Sequence, residues 1–98
     1  MDRKDKDRRL RSKYGIGVEH YDALLEKQGG VCAICAKPET AVDPRSKAVV
    51  MLAVDHVYGV GTVRGLLCQT CNRAIGYLKD SAELLRKAAD YIDLHNGV

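Results

Sequence analysis

Within the stretch AVDHVYGVGTVRGLLCQTCN, residues 53–72, soft and hard metal-ligand types stand side by side. Cys68 and Cys71 are separated by two residues, as are Cys32 and Cys35, and 32 residues lie between the two pairs. A two-residue spacer lets one tight turn present two sulfurs to a single ion, and two such turns complete a four-thiolate tetrahedron around Zn²⁺. That shell has no open position for water, so the expected zinc is structural. It would close a loop that is otherwise entropically costly to close. Paired disulfides or a redox Cys-x-x-Cys are the competing readings. A redox pair normally sits in a βαβ setting, which this sequence lacks. The cysteines alone say nothing of activity, because many small scaffolds share the pattern.

Asp55, His56 and Asn72 offer different chemistry. Four thiolates already fill the zinc shell, so His56 is not needed as a ligand there. A packed core histidine is the bland alternative. Against it stand the acid directly before it, the strand expected to lead into it, and the amide directly after the last cysteine. Neutral imidazole can take a proton from water near neutral pH. A carboxylate and an amide oxygen are hard donors suited to Mg²⁺ or Mn²⁺, which can act as a Lewis acid on phosphate oxygens. The trio is therefore a candidate one-metal phosphodiester-hydrolysis site. One geometric condition applies. Neighbours on a regular strand point to opposite faces, so Asp55 and His56 share a site only if the strand ends there and the backbone turns.

The elements that must position these residues can be read from pattern. GVEHYDALLEKQGG predicts an N-terminal helix with Tyr21, Leu24, Leu25 and Gln28 on one face, ended by Gly29-Gly30. Tyr21, Leu24 and Leu25 are expected in the core. VCAICAKPE is a turn carrying the first cysteine pair, and residues 40–47, with Pro44, form an exposed loop. AVVMLAVDH, residues 48–56, predicts a strand ending at or near His56. Gly59 and Gly61 allow a reversal into a second strand, TVRGLLC, followed by a short helix, QTCNRAIGYLK. The last helix, residues 80–96, has Asp80 and Glu83 as a loose capping box, a stripe of Leu84, Leu85, Ala88, Tyr91, Ile92 and His95, and Gly97 as a stop. That stripe can pack in cis or across a two-fold axis.

With 98 residues, no Trp and no Phe, the chain has few large apolar anchors, and a metal staple suits such a small fold. No apolar run approaches the roughly 18 residues of a membrane span, and the charged N-terminus does not read as a signal peptide. A cytoplasmic, non-membrane protein is expected. The net charge of +3 is uneven. Residues 1–14 carry seven Lys or Arg against three Asp, whereas residues 15–98 carry nine against ten Asp or Glu. Arg8, Arg9, Arg11 and Lys13 in this basic arm could neutralise DNA phosphates; a solvated terminus is the alternative. Residues 15–98 are expected to form the zinc-bound domain. Arg64 and Arg73 flank the proposed cleft as further phosphate-binding candidates. Tyr58 could stack on a base or sugar, or pack the hairpin loop. His20 and His95 read as helix-surface or helix-end residues.

With these residues in view, the sequence resembles the phage recombination endonuclease VII family, from about Arg11 to Ile92. The likeness is carried by KYGIGVEHYDALLEKQGGVCAIC, VDH, VRGLLCQTCNRAIGYL and AELLRKAADYI, in the family's order. The resemblance implies an α+β fold: a small zinc-stapled domain with a ββα-metal (His-Me finger, HNH-like) core, a β-hairpin followed by helices, and an N-terminal helix. It implies Asp55 and Asn72 as catalytic Mg²⁺ ligands, His56 as general base, and Cys32, Cys35, Cys68 and Cys71 as structural zinc ligands. It further implies cleavage of branched DNA such as Holliday junctions by a homodimer, in phage recombination or DNA packaging inside the host cell. The sequence departs from the family twice. Tyr58 stands where many members carry a second histidine, and Ile75 near where some carry an acid. Two other functions fit the same residues: a non-catalytic zinc module that binds DNA or protein, and a nicking HNH endonuclease acting on ordinary duplex.

Overall fold

A computed structural model describes residues 2–57 and 61–96. Its elements, in chain order, are α1 (Arg3–Tyr14), α2 (Val18–Lys27), β1 (Ala53–His56), β2 (Val63–Leu67), α3 (Gln69–Tyr77) and α4 (Ala82–Asn96). Among the described residues this is a mixed helix-and-strand fold with one two-stranded antiparallel sheet. The expected reversal at Gly59, the side chain of Tyr58 and the stop at Gly97 fall outside the described residues.

The basic N-terminal residues form a helix, an element that charge alone did not predict. Asp2 caps α1 by accepting from the Asp5 N–H at 2.8 Å, and Gly15 ends it at φ 73° with its N–H on the Arg11 carbonyl. Leu10 anchors α1 in the core. Gly17 opens α2 without a capping side chain, and α1 supplies one: Asp7 Oδ1 accepts from the Val18 N–H at 2.8 Å. Lys6 lies 4.5 Å from the Tyr21 ring centroid, and Arg3 pairs with Asp22 at 2.9 Å. Much of the charge on α1 therefore fastens it to α2.

The core comprises Leu10, Ile16, Val18, Tyr21, Cys32, Leu52, Val54, Leu66, Leu67 and Cys68. Tyr21, as expected, is deep inside, and its hydroxyl donates to the Leu52 carbonyl at 2.7 Å. Burial, and secondly the nearby Asp22 carboxylate, push its phenol up to about 12, so it stays a donor. Leu24 and Leu25 pack partly buried against the same cluster.

The strand predicted over 48–56 is four residues long, Ala53–His56. Residues 48–52 lack a partner strand and make only an isolated bridge, Val42 to Val49. A β-rich composition does not supply a ladder, and Val49 and Met51 are exposed. β1 and β2 pair Ala53–Leu67, Val54–Leu66 and Asp55–Gly65, then shift so that His56 lies opposite Val63. Arg64 is the extra residue of this β-bulge.

The capping of the last helix also differs from expectation. Ser81 Oγ, rather than Asp80, accepts from the helix N–H three residues on, that of Leu84, at 3.1 Å. Asp80 is occupied otherwise: it has φ 62° and its N–H closes the end of α3 on the Ile75 carbonyl. The expected stripe on α4 finds no core. No residue of α4 is buried, Leu84, Tyr91, Ile92 and Leu94 are exposed, and Leu85 and Ala88 are half-buried.

A four-thiolate centre beside an Asp-His-Asn cleft

The four cysteine sulfurs lie within 4.8 Å of one another, with Cys35 and Cys68 Sγ 3.9 Å apart. A zinc tetrahedron with Zn–S bonds of about 2.3 Å has S–S edges of about 3.8 Å, so the cluster has the size of such a site. A disulfide would need sulfurs at about 2.05 Å, and all four cysteines are free. Each pair sits on a turn whose backbone N–H groups face sulfur. The Ile34 N–H points at Cys32 Sγ and the Cys71 N–H at Cys68 Sγ, both at 3.4 Å. Ala36, at φ 59°, closes the first turn with its N–H on the Cys32 carbonyl. Burial opposes ionisation of Cys32, but the N–H groups of Cys35, Cys68 and Ile34 outweigh it and bring the thiol down to about 6. Burial, with its sulfur neighbours, pushes the Cys71 thiol up to about 12. Four buried or half-buried soft donors within reach of one ion are what structural zinc takes.

Cys68 is also the N-cap of α3, and Asn72 follows from it. The Asn72 N–H bonds to the Cys68 carbonyl at 2.9 Å, placing the amide on the first turn of the helix. Glu39 fixes the same end from the loop side, accepting from the Gln69 N–H at 2.7 Å and from the N–H groups of Thr40 and Ala41. Those three N–H groups, that of Ala41 foremost, hold its carboxyl below the usual range against its partial burial.

Asp55, His56 and Asn72 line one cleft of about 500 Å³, together with Ile75, Gly76, Lys79 and Asp80. The bulge answers the objection raised by strand alternation. The ladder is regular through Asp55 and irregular between Asp55 and His56, where β1 ends, and both residues line the same cleft. His56 is exposed, with its ring centroid 6.3 Å from that of Tyr14 on α1. Ile75 lines the cleft wall.

Arg64 stands at the rim between two carboxylates. Its Nε donates to Asp55 Oδ2, its Nη2 lies 3.4 Å from Asp55 Oδ1, and Nη2 donates to Asp80 Oδ1 at 2.7 Å. The Asp55 carboxylate, with that of Asp80 second, raises the guanidinium pKa, so Arg64 remains charged. Asp55 is thus already paired with a guanidinium. Asp55 and Asn72 are hard oxygen donors on one cleft, and the set suits Mg²⁺ or Mn²⁺.

The remaining candidates are dispersed. Arg73 is exposed on α3 and is not part of the cleft wall. Arg8 pairs with Asp5 at 3.4 Å and Arg11 with Asp7 at 2.9 Å. Arg9 and Lys13 line a separate groove between α1 and residues 43–54. His20 is exposed on α2 and His95 on α4, where its ring stacks at a tilt on Tyr91, 4.7 Å between centroids. Lys79 and Asp80 are cleft residues that sequence reading did not single out. The pattern offered a cap at Asp80, and only the spatial return of α3 on the hairpin shows the second role.

None of the described helices is long and apolar enough to cross a membrane. The sequence pattern of the family described as recombination endonuclease VII matches residues 7–94. The Gene 59 protein of Mycobacterium phage D29 is 44% identical over 85 residues, covering 86% of this chain and 47% of that protein. The Gene 59 protein of Mycobacterium phage L5 is 36% identical over 85 residues, covering 86% and 48% respectively. The chain thus spans about half the length of the curated relatives it matches. With the four-cysteine centre, the Asp-His-Asn cleft and a match running through nearly every element, the chain belongs to the recombination endonuclease VII family.

Proposed function

We propose that the protein is a metal-dependent DNA endonuclease with a structural zinc and a His-Me finger core formed by β1, β2 and α3. The observation that carries the reading is the shared cleft of Asp55, His56 and Asn72 beside a four-thiolate centre. His56, exposed at the cleft, takes the proton from the attacking water. Asp55 and Asn72 would hold Mg²⁺ or Mn²⁺, which supplies Lewis-acid stabilisation of the charge developing on the phosphate and on the departing 3′-oxygen. Cys68 and Cys71 keep Asn72 in register with the hairpin, so the zinc serves chemistry that it does not touch. Arg64 and Arg73, with Arg8, Arg9, Arg11 and Lys13 on α1, supply sequence-independent attraction to phosphates.

The substrate proposed is branched DNA, a four-way junction above all. Paired cuts on a junction call for a homodimer, and the exposed Leu84, Tyr91, Ile92 and Leu94 of α4 support one. The phage origin of both relatives supports action on DNA in the cytoplasm of the host cell.

Cleavage of a four-way junction, a nicked duplex and a linear duplex, with and without Mg²⁺, tests the proposal. The junction is expected to be cut only with the cation. His56→Ala is expected to keep its zinc, its fold and its DNA binding while losing about 10² to 10⁴-fold in rate. Equal nicking of linear duplex would replace the junction reading by a general nicking activity. If neither Mg²⁺ nor Mn²⁺ supports cleavage of any of the three substrates, the protein is a non-catalytic zinc module.

A further inference from the structure

Asp80 holds a costly backbone conformation directly after another. Lys79 has φ 55° and Asp80 φ 62°, two consecutive side-chain-bearing residues in the left-handed region at the end of α3. Glycine is the residue that closes a helix in this way without strain. What a glycine would forfeit here is the Asp80 carboxylate, 23% exposed, which accepts from Arg64 Nη2 at 2.7 Å. Arg64 is itself placed by an irregularity, as the extra residue of the bulge opposite the strand end that carries Asp55. Two local departures from regular structure thus converge on one guanidinium held between two carboxylates.

Asp55, 12% exposed, turns both oxygens to Arg64, so a divalent cation would compete with the guanidinium for their lone pairs and against its charge. Arginine does not release its proton, so that competition eases only as the guanidinium shifts toward another partner. If Asp55 were its one partner, the guanidinium, 38% exposed, would on leaving pass to solvent. Asp80 keeps it beside the cleft, because Nη2 is already bonded there when Nε lets go.

We propose that Asp80 is a positioning residue for the cation site: it gives Arg64 a second carboxylate to hold, so that a divalent cation can take Asp55 while the guanidinium stays at the cleft rim. The inference rests on the nuclease reading and deepens it. Asp80 need not touch the cation. It acts through Arg64, and its effect on metal affinity therefore depends on Arg64 being present.

Mn²⁺ binding to the zinc-loaded full chain, followed by electron paramagnetic resonance without DNA, provides a readout independent of activity. Asn tolerates the left-handed region as Asp does, so Asp80→Asn keeps the turn and removes the charge. Its thermal melt is expected to match the wild type. Asp80→Asn is expected to weaken Mn²⁺ binding about fivefold in the wild-type background and less than half as much beside Arg64→Gln. Arg64→Gln alone is expected to tighten binding. Equal weakening by Asp80→Asn in both backgrounds would make Asp80 a simple field or ligand effect and overturn the inference, as would no weakening in the wild type. Asp55→Asn separates this from the underlying reading. Loss of Mn²⁺ binding in that variant leaves the cation site standing whatever becomes of Asp80, whereas unchanged binding removes the site and the inference with it.

Discussion

One carboxylate on α1 closes the start of α2. Asp7 accepts from the Val18 N–H at 2.8 Å and from Arg11 Nε at 2.9 Å, so it caps α2 from outside that helix. The Val18 N–H, with Arg11 second, holds the Asp7 carboxyl below its usual range. The folded state therefore binds fewer protons here than the unfolded chain. The stabilisation is complete above the ordinary carboxylate range and is lost as pH falls through the lowered folded value. Asp7→Asn is expected to melt at a lower temperature at neutral pH and to lose less stability on acidification than the wild type. Melting temperatures from about pH 7 to about pH 2 check both limbs, and parallel acid limbs would refute the assignment. Asp7 was visible in the sequence as an acid in a basic segment. Its partner, 11 residues away across the α1–α2 turn, was not.

At the scale of elements, one side chain substitutes for a missing strand. Gln28, at the end of α2, donates through Nε2 to the carbonyls of Val31 at 2.8 Å and Leu66 at 3.0 Å, and accepts from the Leu66 N–H at 2.9 Å. The free edge of β2 is thereby paired in the part-buried interior, next to Gly65, where a Cβ would stand 3.3 Å from Gln28 Oε1. Gln28→Ala is expected to cost about 2 kcal/mol, because the buried Leu66 N–H loses its partner and the Leu66 carbonyl keeps only the Ala33 N–H. Urea denaturation should show a lower midpoint with an unchanged slope, and zinc content should be preserved. The helical periodicity correctly put Gln28 on the inward face of α2. A partner 38 residues away lies beyond any local pattern. The same limit explains the strand expected over 48–56. Its composition suited a strand throughout, but only Ala53–His56 meets a second strand, while Val49 makes an isolated bridge to Val42.

The whole molecule is extended for its mass. Its accessible surface is 7422 Å², against about 5,500 Å² for a compact chain of this size. Its radius of gyration is 15.5 Å, against about 12.6 Å. α4, which buries no residue, contributes to that excess. The core rests on ten buried residues with one aromatic ring, Tyr21, and two of the ten are cysteines of the thiolate centre. A four-thiolate zinc contributes about 10 kcal/mol or more to small metal-stapled folds, comparable with the entire stability of a typical domain. Removing the metal with a strong chelator at neutral pH is expected to abolish the cooperative thermal transition and to lower the helical circular-dichroism signal. Re-addition of zinc should restore both. A chelated protein with an unaltered melt would mean that the cluster does not hold the fold.

By itself, the sequence determined that four sulfurs would converge and that a hairpin would lead into a helix behind them, and it singled out Asp55, His56 and Asn72 as candidates for one site. Those features follow from ligand spacing, turn residues and hydrophobic period, all encoded over a few neighbouring positions. The tertiary structure alone decided how they meet. A one-residue bulge at Arg64 falls where two adjacent strand residues line one cleft, the end of α3 brings Asp80 to the same arginine, and a charged N-terminal segment docks as a helix through Leu10 and Asp7. Each depends on register or on a partner far along the chain, and the free energy of such pairing exists only once the segments are packed together.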